Sequence, residues 1–306
     1  MARRLASGLI LLVLAACAAP QASRLAEAPG DLPRRAEIDT VPFFPQEAYY
    51  CGPAALAMTL AWSGLAETPE SIGPQVYTPG REGTLAPDMV AAARRNGRLA
   101  VELRDLESLL REIAAGHPVV VFQNLSLDWW PQWHFAVAIG YDLDRRILIL
   151  HSGTTERLET PLDAFERTWR RSDHWALVTL PPDRLPAAGD RRAVLLAAAG
   201  LEQAAQYDAA ATAYEAVSGR WPDEPLAWLG LGNASFALER FAAAEAAYRA
   251  AIDREPALAA AWNNLAYALS RQGRRDEAIG AALNAVALTG GSDPNHLDTL
   301  EEVSRP

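Results

Sequence analysis

A cysteine and a histidine in the middle of the sequence have the side chains that nucleophilic catalysis needs. Cys51 precedes Gly52-Pro53 and an apolar run with helical spacing, and proline is favoured in the first turn of a helix. Backbone N–H groups at a helix start point toward such a sulfur, and the helix dipole favours the thiolate, which is the attacking species. The sequence therefore predicts a reactive thiol at position 51.

The thiol also needs a partner that accepts and then delivers a proton. Among the five histidines, His134 opens the predicted strand 134–139, directly after an aromatic loop. Three of the others lie in predicted turns or in the tail, which favours structural or surface roles: His117, His174 and His296. His134 is therefore the candidate general acid and base.

Composition excludes several other chemistries. A metal site built from His134, His151 and His174 lacks ligand-type spacing, and two cysteines cannot form a four-thiolate zinc site or a disulfide scaffold. The chain has no lysine, so lysine-based catalysis is excluded, and its net charge of −10 argues against a nucleic-acid partner. We expect no metal and no cofactor.

The motifs of this region match a known family. They are Gln46, Cys51-Gly52-Pro53, His134-Phe135-Ala136-Val137 and Gly140-Tyr141-Asp142. Over about residues 40–181 the chain resembles the papain-like cysteine peptidases of the bacteriocin-processing (double-glycine) type, and more closely their periplasmic relatives without a transporter. The resemblance implies an α+β fold with a helix packed on an antiparallel sheet.

The same resemblance assigns roles to residues. It implies that Cys51 is the nucleophile, that His134 is the general acid and base, and that Gln46 holds the oxyanion together with the Cys51 N–H. Gln46 stands five positions before the cysteine, where many relatives have six. A structural role for this loop residue therefore stays open.

The third catalytic position departs from the family pattern. Such peptidases orient the histidine with an Asp or Asn on the next strand. Counting back through a hairpin turn near Leu143 places Ser152 opposite His134, and a serine can accept a hydrogen bond but supplies no charge. Asn124 and Asp128, near the end of the preceding strand, are the alternatives. Activity is therefore an open question at this position.

The amino terminus has the pattern of an export signal. Two arginines precede a short apolar run that ends at residue 16, which is less than the roughly 20 residues a spanning helix needs. The ending Leu14-Ala15-Ala16-Cys17 resembles a bacterial lipobox, which implies cleavage before Cys17 and lipid attachment to it. Ala18, rather than Asp, implies the outer membrane facing the periplasm. Ordinary secretion is the alternative.

The last third of the chain repeats itself every 34 residues. Trp228 and Trp262 have this offset, as do Tyr214 and Tyr248, and the pattern resembles the tetratricopeptide repeat. Three helix pairs are expected, over residues 191–224, 225–258 and 259–292, with the remaining residues as a cap. Such a stack offers a groove for a protein partner. A rigid spacer or a dimerisation surface is the alternative.

These patterns divide the chain into five segments. They are a signal peptide (1–16), a flexible tether (17–36), a papain-like domain (37–181), a linker (182–190) and an all-α repeat solenoid (191–306). We expect a lipid-anchored periplasmic cysteine peptidase that cleaves a peptide or protein, with repeats that recruit a partner or the substrate. The alternatives are an inactive peptidase-like scaffold that acts through its repeats, and acyl transfer or deamidation by the same thiol.

Overall fold

The structure is a computed structural model that describes residues 19–46, 50–78, 80 and 83–305. These residues form two compact units. The first comprises residues 19–93, 100–180 and 186–189, and the second comprises residues 94–99, 181–185 and 190–305.

An antiparallel sheet with strand order β4-β9-β5-β6-β7-β8 organises the first unit. The strands of this sheet are β1 (Arg35–Glu37), β4 (Leu99–Leu103), β5 (Val119–Asn124), β6 (Trp133–Asp142), β7 (Ile147–Ser152), β8 (Thr155–Pro161) and β9 (Ala176–Leu180). A separate ribbon consists of β2 (Tyr77–Thr78) and β3 (Gly83–Thr84). The helices are α1 (Pro20–Glu27), α2 (Cys51–Trp62), α3 (Pro69–Val76), α4 (Ala86–Arg95), α5 (Leu106–Ala114) and α6 (Leu162–Arg170).

The long strand β6 ties this sheet together. Along one edge, its first half pairs with β5, from Trp133 to Ala138, and its last three residues pair with β1. Along the other edge it pairs with β7. Residues 135–142 of β6 are all buried. The strand that begins with the candidate histidine is therefore held on both sides.

Helix α2 lies in the interior of the unit. Its residues 52–60 are all buried, because the run has no polar face and such a helix is stable only when it is covered on all sides. Pro53 lacks the N–H that would have no partner in the first turn, and Gly64, with φ of +93°, follows the helix end. This burial fixes the position of Cys51.

The described part of the expected tether is ordered, so the prediction of a flexible tether over 17–36 is wrong for residues 19–36. Helix α1 buries Ala22 and Leu25. The carboxylate of Glu166, on α6, accepts hydrogen bonds from the backbone N–H groups of Gln21 (3.1 Å) and Ala22 (2.6 Å). A carboxylate at a helix start satisfies unpaired N–H groups and complements the helix dipole.

The expected signal peptide (1–16) and Cys17 lie outside the described residues. Within the part of the chain that the structure covers, no helix is both long and apolar enough to cross a membrane.

The second unit contains the expected helix pairs. They are α7 (Arg191–Gln203) with α8 (Tyr207–Arg220), α9 (Pro225–Ala237) with α10 (Phe241–Arg254), and α11 (Ala259–Arg271) with α12 (Arg275–Leu288), followed by α13 (Pro294–Ser304). The first helix of each pair starts 34 residues after the previous one. The same contact recurs at this interval, because the indole N–H groups of Trp228 and Trp262 donate to the carbonyls of Pro222 (3.2 Å) and Pro256 (3.0 Å).

Candidate active site

The start of α2 and the start of β6 meet at the sulfur of Cys51. The thiol is half-buried, and the backbone N–H groups of Phe135, Gly52 and Cys51 lie where they favour its thiolate form. Phe135 follows His134 directly in β6. The strand that carries His134 therefore reaches the start of α2, where Cys51 lies.

His134 is held by a residue of the neighbouring strand. Its Nε2 lies 2.8 Å from the Oγ of Ser152, the last residue of β7, and the imidazole is half-buried. This hydrogen bond occupies one ring nitrogen and leaves Nδ1 as the nitrogen available to a thiol. The pair Cys51 and His134, with Ser152 behind the imidazole, has the order of a nucleophile, a base and an orienting group.

The register of the β6–β7 hairpin differs from the count made on the sequence. Val137 pairs with His151, so Ser152 is diagonal to His134 rather than directly opposite it. The turn extends to Arg146, which has a φ of 54°, and the pairing shifts between Ala138 and Gly140. Ser152 still reaches the imidazole, because diagonal side chains of neighbouring strands lie within contact range.

The two alternative orienting residues have other roles. The side-chain oxygen of Asn124 accepts hydrogen bonds from the backbone N–H groups of Ser126 (3.0 Å) and Gln132 (2.9 Å). The carboxylate of Asp128 pairs with Arg171 at 3.4 Å. Both side chains hold the loop between β5 and β6, and Ser152 is the residue that contacts His134.

Gln46 lies against the end of β7. Its backbone N–H donates to the carbonyl of Gly153 (3.0 Å), the residue after Ser152. The side chain is buried, and neither its Oε1 nor its Nε2 has a hydrogen-bond partner among the described residues. Because an unpaired buried amide is costly, a group with this environment is suited to bind a polar atom of a ligand.

Sequence reasoning missed Thr84 as a neighbour of the candidate nucleophile. A Cβ atom at Gly52 would lie only 2.5 Å from the Cβ of Thr84, so the glycine is required for this close approach of β3 to α2. The Thr84 hydroxyl is buried without a partner among the described residues. In the sequence, the small residue after Cys51 is the signal of such a close contact.

Burial shifts both titrating groups toward their neutral forms. It raises the pKa of the Cys51 thiol, an effect that the three backbone N–H donors only partly oppose, and it lowers the pKa of His134. The N–H groups at the helix start favour the thiolate as expected, but burial outweighs their effect. Burial therefore favours the neutral form of each group.

The remaining histidines near the sheet have structural partners. His151 lies between the carbonyl oxygens of Val41 (Nε2, 3.1 Å) and Glu156. His117 is buried, and its Nδ1 lies 2.7 Å from the carboxylate of Glu112. Neither contacts the Cys51 site through these bonds.

Comparisons with known proteins agree with this architecture. Residues 38–176 match the Peptidase_C39 like family, and residues 195–256 and 236–295 match the tetratricopeptide repeat. The protein therefore consists of a Peptidase_C39-like domain, with helices around an antiparallel sheet, followed by tetratricopeptide repeats. No curated protein matched the sequence.

Solved structures similar to each part were also found. A putative C39-like peptidase from Bacillus anthracis is 19% identical, with a TM-score of 0.43 over 48% of this chain and 97% of that one. The first tetratricopeptide domain of Spaghetti (RPAP3) bound to an HSP90 peptide is 18% identical, with a TM-score of 0.36 over 37% and 90%. The Sgt2 tetratricopeptide domain from Aspergillus fumigatus is 18% identical, with a TM-score of 0.37 over 38% and 77%.

Proposed function

We propose that this protein is a lipid-anchored cysteine peptidase of the bacterial cell envelope, with Cys51 as nucleophile and His134 as general acid and base. One observation carries the proposal. The backbone N–H of Phe135 lies where it favours the Cys51 thiolate, and the imidazole of the preceding residue, His134, is held by Ser152 at 2.8 Å. This supports a role for both side chains at the same end of the sheet.

The reaction follows from the neutral pair. His134 takes the thiol proton through Nδ1 as the sulfur attacks the acyl carbon of a peptide bond. Gln46 Nε2 and the Cys51 N–H stabilise the developing oxyanion, the C–N bond breaks, and the imidazolium donates its proton to the leaving amine. Water then attacks the thioester with His134 as base, which releases the acid and restores the thiol.

The proposed cellular location rests on the sequence. The lipobox-like ending at Cys17 supports lipid attachment at this residue and a site on the outer membrane facing the periplasm. The repeats would recruit the substrate or a protein partner, as an array of helix pairs presents a continuous surface for an extended chain.

Trapping of the acyl-enzyme tests the proposal. Purified protein is mixed with periplasmic extract, quenched in acid and digested, and the Cys51 peptide is analysed by mass spectrometry. We expect an acid-stable thioester on Cys51 of the wild type and its loss in Cys51→Ala and His134→Ala.

A second candidate is a peptidase-like scaffold without turnover, which Ser152 at the third position favours. A Cys51 that stays unmodified, with the same proteins captured by wild type and Cys51→Ala, would establish the scaffold and rule out the peptidase.

A further inference from the structure

An exposed apolar turn lies between β5 and β6, and we call its residues 125–132 the tryptophan turn. Trp129 and Trp130 are 78% and 72% exposed, and Leu125 and Leu127 are 45% and 48% exposed. Four large apolar side chains in one short segment form the kind of patch that marks an interaction surface. Nothing in the proposed reaction uses them.

The backbone of the tryptophan turn is held by hydrogen bonds. The N–H of Leu125 donates to the carbonyl of Gln132 (2.9 Å), and the N–H of Trp130 donates to the carbonyl of Leu127 (3.0 Å). The buried side chain of Asn124 adds three further hydrogen bonds from the inside. The two indoles are therefore presented by an ordered backbone, which reduces the entropy cost of binding.

The tryptophan turn and the amino-terminal helix lie at the same end of the sheet. Arg171 bonds the carbonyl of Asn124 (3.2 Å) and the carboxylate of Asp128 (3.4 Å). Three residues further along, His174 Nε2 lies 3.4 Å from the side-chain nitrogen of Gln21, in the first turn of α1. The segment 171–174 thus contacts both the tryptophan turn and helix α1.

The start of α1 also fixes the point at which the preceding chain is attached to the domain. Ala19 is itself buried, and Glu166 binds the N–H groups of Gln21 and Ala22. Cys17 precedes Ala19 by two residues, which span at most about 7 Å. A lipid on Cys17 would therefore bring the bilayer surface against this end of the domain.

We propose that the tryptophan turn inserts into the membrane interface as a second contact beside the lipid anchor. The inference rests on the lipid anchor of the proposed function. Tryptophan is the side chain that membrane proteins place at this depth, because its ring is apolar and its N–H is polar. Since His134 follows the turn after a single residue, the second contact holds the active-site end of the sheet toward the lipid. The substrate class is then a peptide at the membrane surface.

Fluorescence quenching by brominated lipid tests this contact. The mature lipid-modified protein is reconstituted into phosphatidylethanolamine and phosphatidylglycerol vesicles, with or without bromine close to the headgroup end of the acyl chains. The variant Trp129→Phe/Trp130→Phe is compared with wild type. A matched pair in the repeats, Trp221→Phe/Trp228→Phe, serves as the control.

We expect bromine to quench the wild type and the control pair, and to quench the turn variant much less. Two of nine tryptophans are removed, so the difference is up to roughly a fifth of the emission. Mass spectrometry of the same samples reports the lipid on Cys17. Equal quenching in all three proteins, with the lipid present on Cys17, overturns this inference alone.

An unmodified Cys17 overturns both the lipid anchor and this inference. If tryptophan emission changes when an apolar peptide is added but not when lipid is added, the tryptophan turn binds substrate and the inference is also overturned.

Discussion

At the scale of single residues, the site is governed by the competition between burial and hydrogen bonding. Three backbone N–H groups face the Cys51 sulfur, yet burial raises its pKa, and burial lowers the pKa of His134. Burial thus favours the uncharged form of each group, and in the proposed reaction the thiol proton passes to the imidazole. In the proposed reaction, the residues that hold the imidazole and the oxyanion therefore set the rate.

Ser152 supplies a single neutral hydrogen bond to His134. Such a bond contributes about 0.5–1.5 kcal/mol, so Ser152→Ala is expected to lower kcat/KM for the trapped substrate roughly 3- to 10-fold. Ser152→Asp places a negative charge beside the ring, which raises the pKa of His134 and moves the acid limb of the pH–rate profile to higher pH. Ser126→Ala is the control. An acid limb unmoved in Ser152→Asp contradicts the orienting role.

Gln46 is expected to act on the transition state alone. Loss of an oxyanion donor costs about 10²–10³ in kcat, so Gln46→Ala should show a decrease of this size. Alkylation of Cys51 by iodoacetamide forms no oxyanion and should keep its wild-type rate. A fall of both rates by the same factor would instead assign Gln46 a structural role.

At the scale of elements, α9 is packed between two tyrosines. A Cβ at Gly230 would lie 2.2 Å from the ring of Tyr214 on α8, and one at Gly232 would lie 2.3 Å from the ring of Tyr248 on α10. The tyrosine rings are mostly buried. The two glycines therefore allow the close helix packing on which the repeat array depends.

Gly232→Ala is expected to destabilise the repeats. The added methyl displaces a buried ring, and overpacking of this kind costs about 1–3 kcal/mol. Gly280→Ala is the matched control, because this helical glycine has nothing within 4 Å of the added Cβ and gains about 0.5–1 kcal/mol in helix propensity. Thermal and urea unfolding, followed by the circular dichroism of the helices, should show a lower free energy of unfolding for Gly232→Ala and a higher one for Gly280→Ala. A change of the same sign in both variants would contradict this packing.

Elements with a local pattern could be predicted from the sequence, and those that depend on distant partners could not. The 34-residue spacing predicted all three helix pairs, and the apolar run after Cys51 predicted α2. Helix α1 was missed because its N–H groups bond a carboxylate at position 166.

The site was predictable to a similar extent. The sequence identified His134 and Ser152, whose side chains lie 2.8 Å apart in the fold, and it placed Cys51 at the start of a helix. The diagonal position of Ser152 comes from a register shift, and the raised pKa of Cys51 comes from burial by residues far along the chain, neither of which local spacing contains.

At the scale of the whole molecule, Glu166 fixes the amino-terminal segment to the sheet domain. Glu166→Ala leaves two backbone N–H groups of α1 without their partner, at about 1–3 kcal/mol for each. We expect faster hydrogen exchange over residues 20–27. The control is Glu107→Ala, which removes surface ion pairs with Arg24 and Arg111, each worth at most about 1 kcal/mol. Unchanged exchange in Glu166→Ala contradicts the anchoring of α1.

The claim that Cys51 and His134 act as one unit is tested most directly by the pH dependence of Cys51 alkylation by iodoacetamide in wild type and His134→Ala. Because burial lowers the pKa of His134, the account predicts an acid inflection below the ordinary imidazole value of about 6.5 in the wild type. In His134→Ala this inflection disappears, and the rate at neutral pH falls by about 10²–10⁴. Superimposable profiles for the two proteins would show that the thiol reacts without the histidine, and would contradict the account.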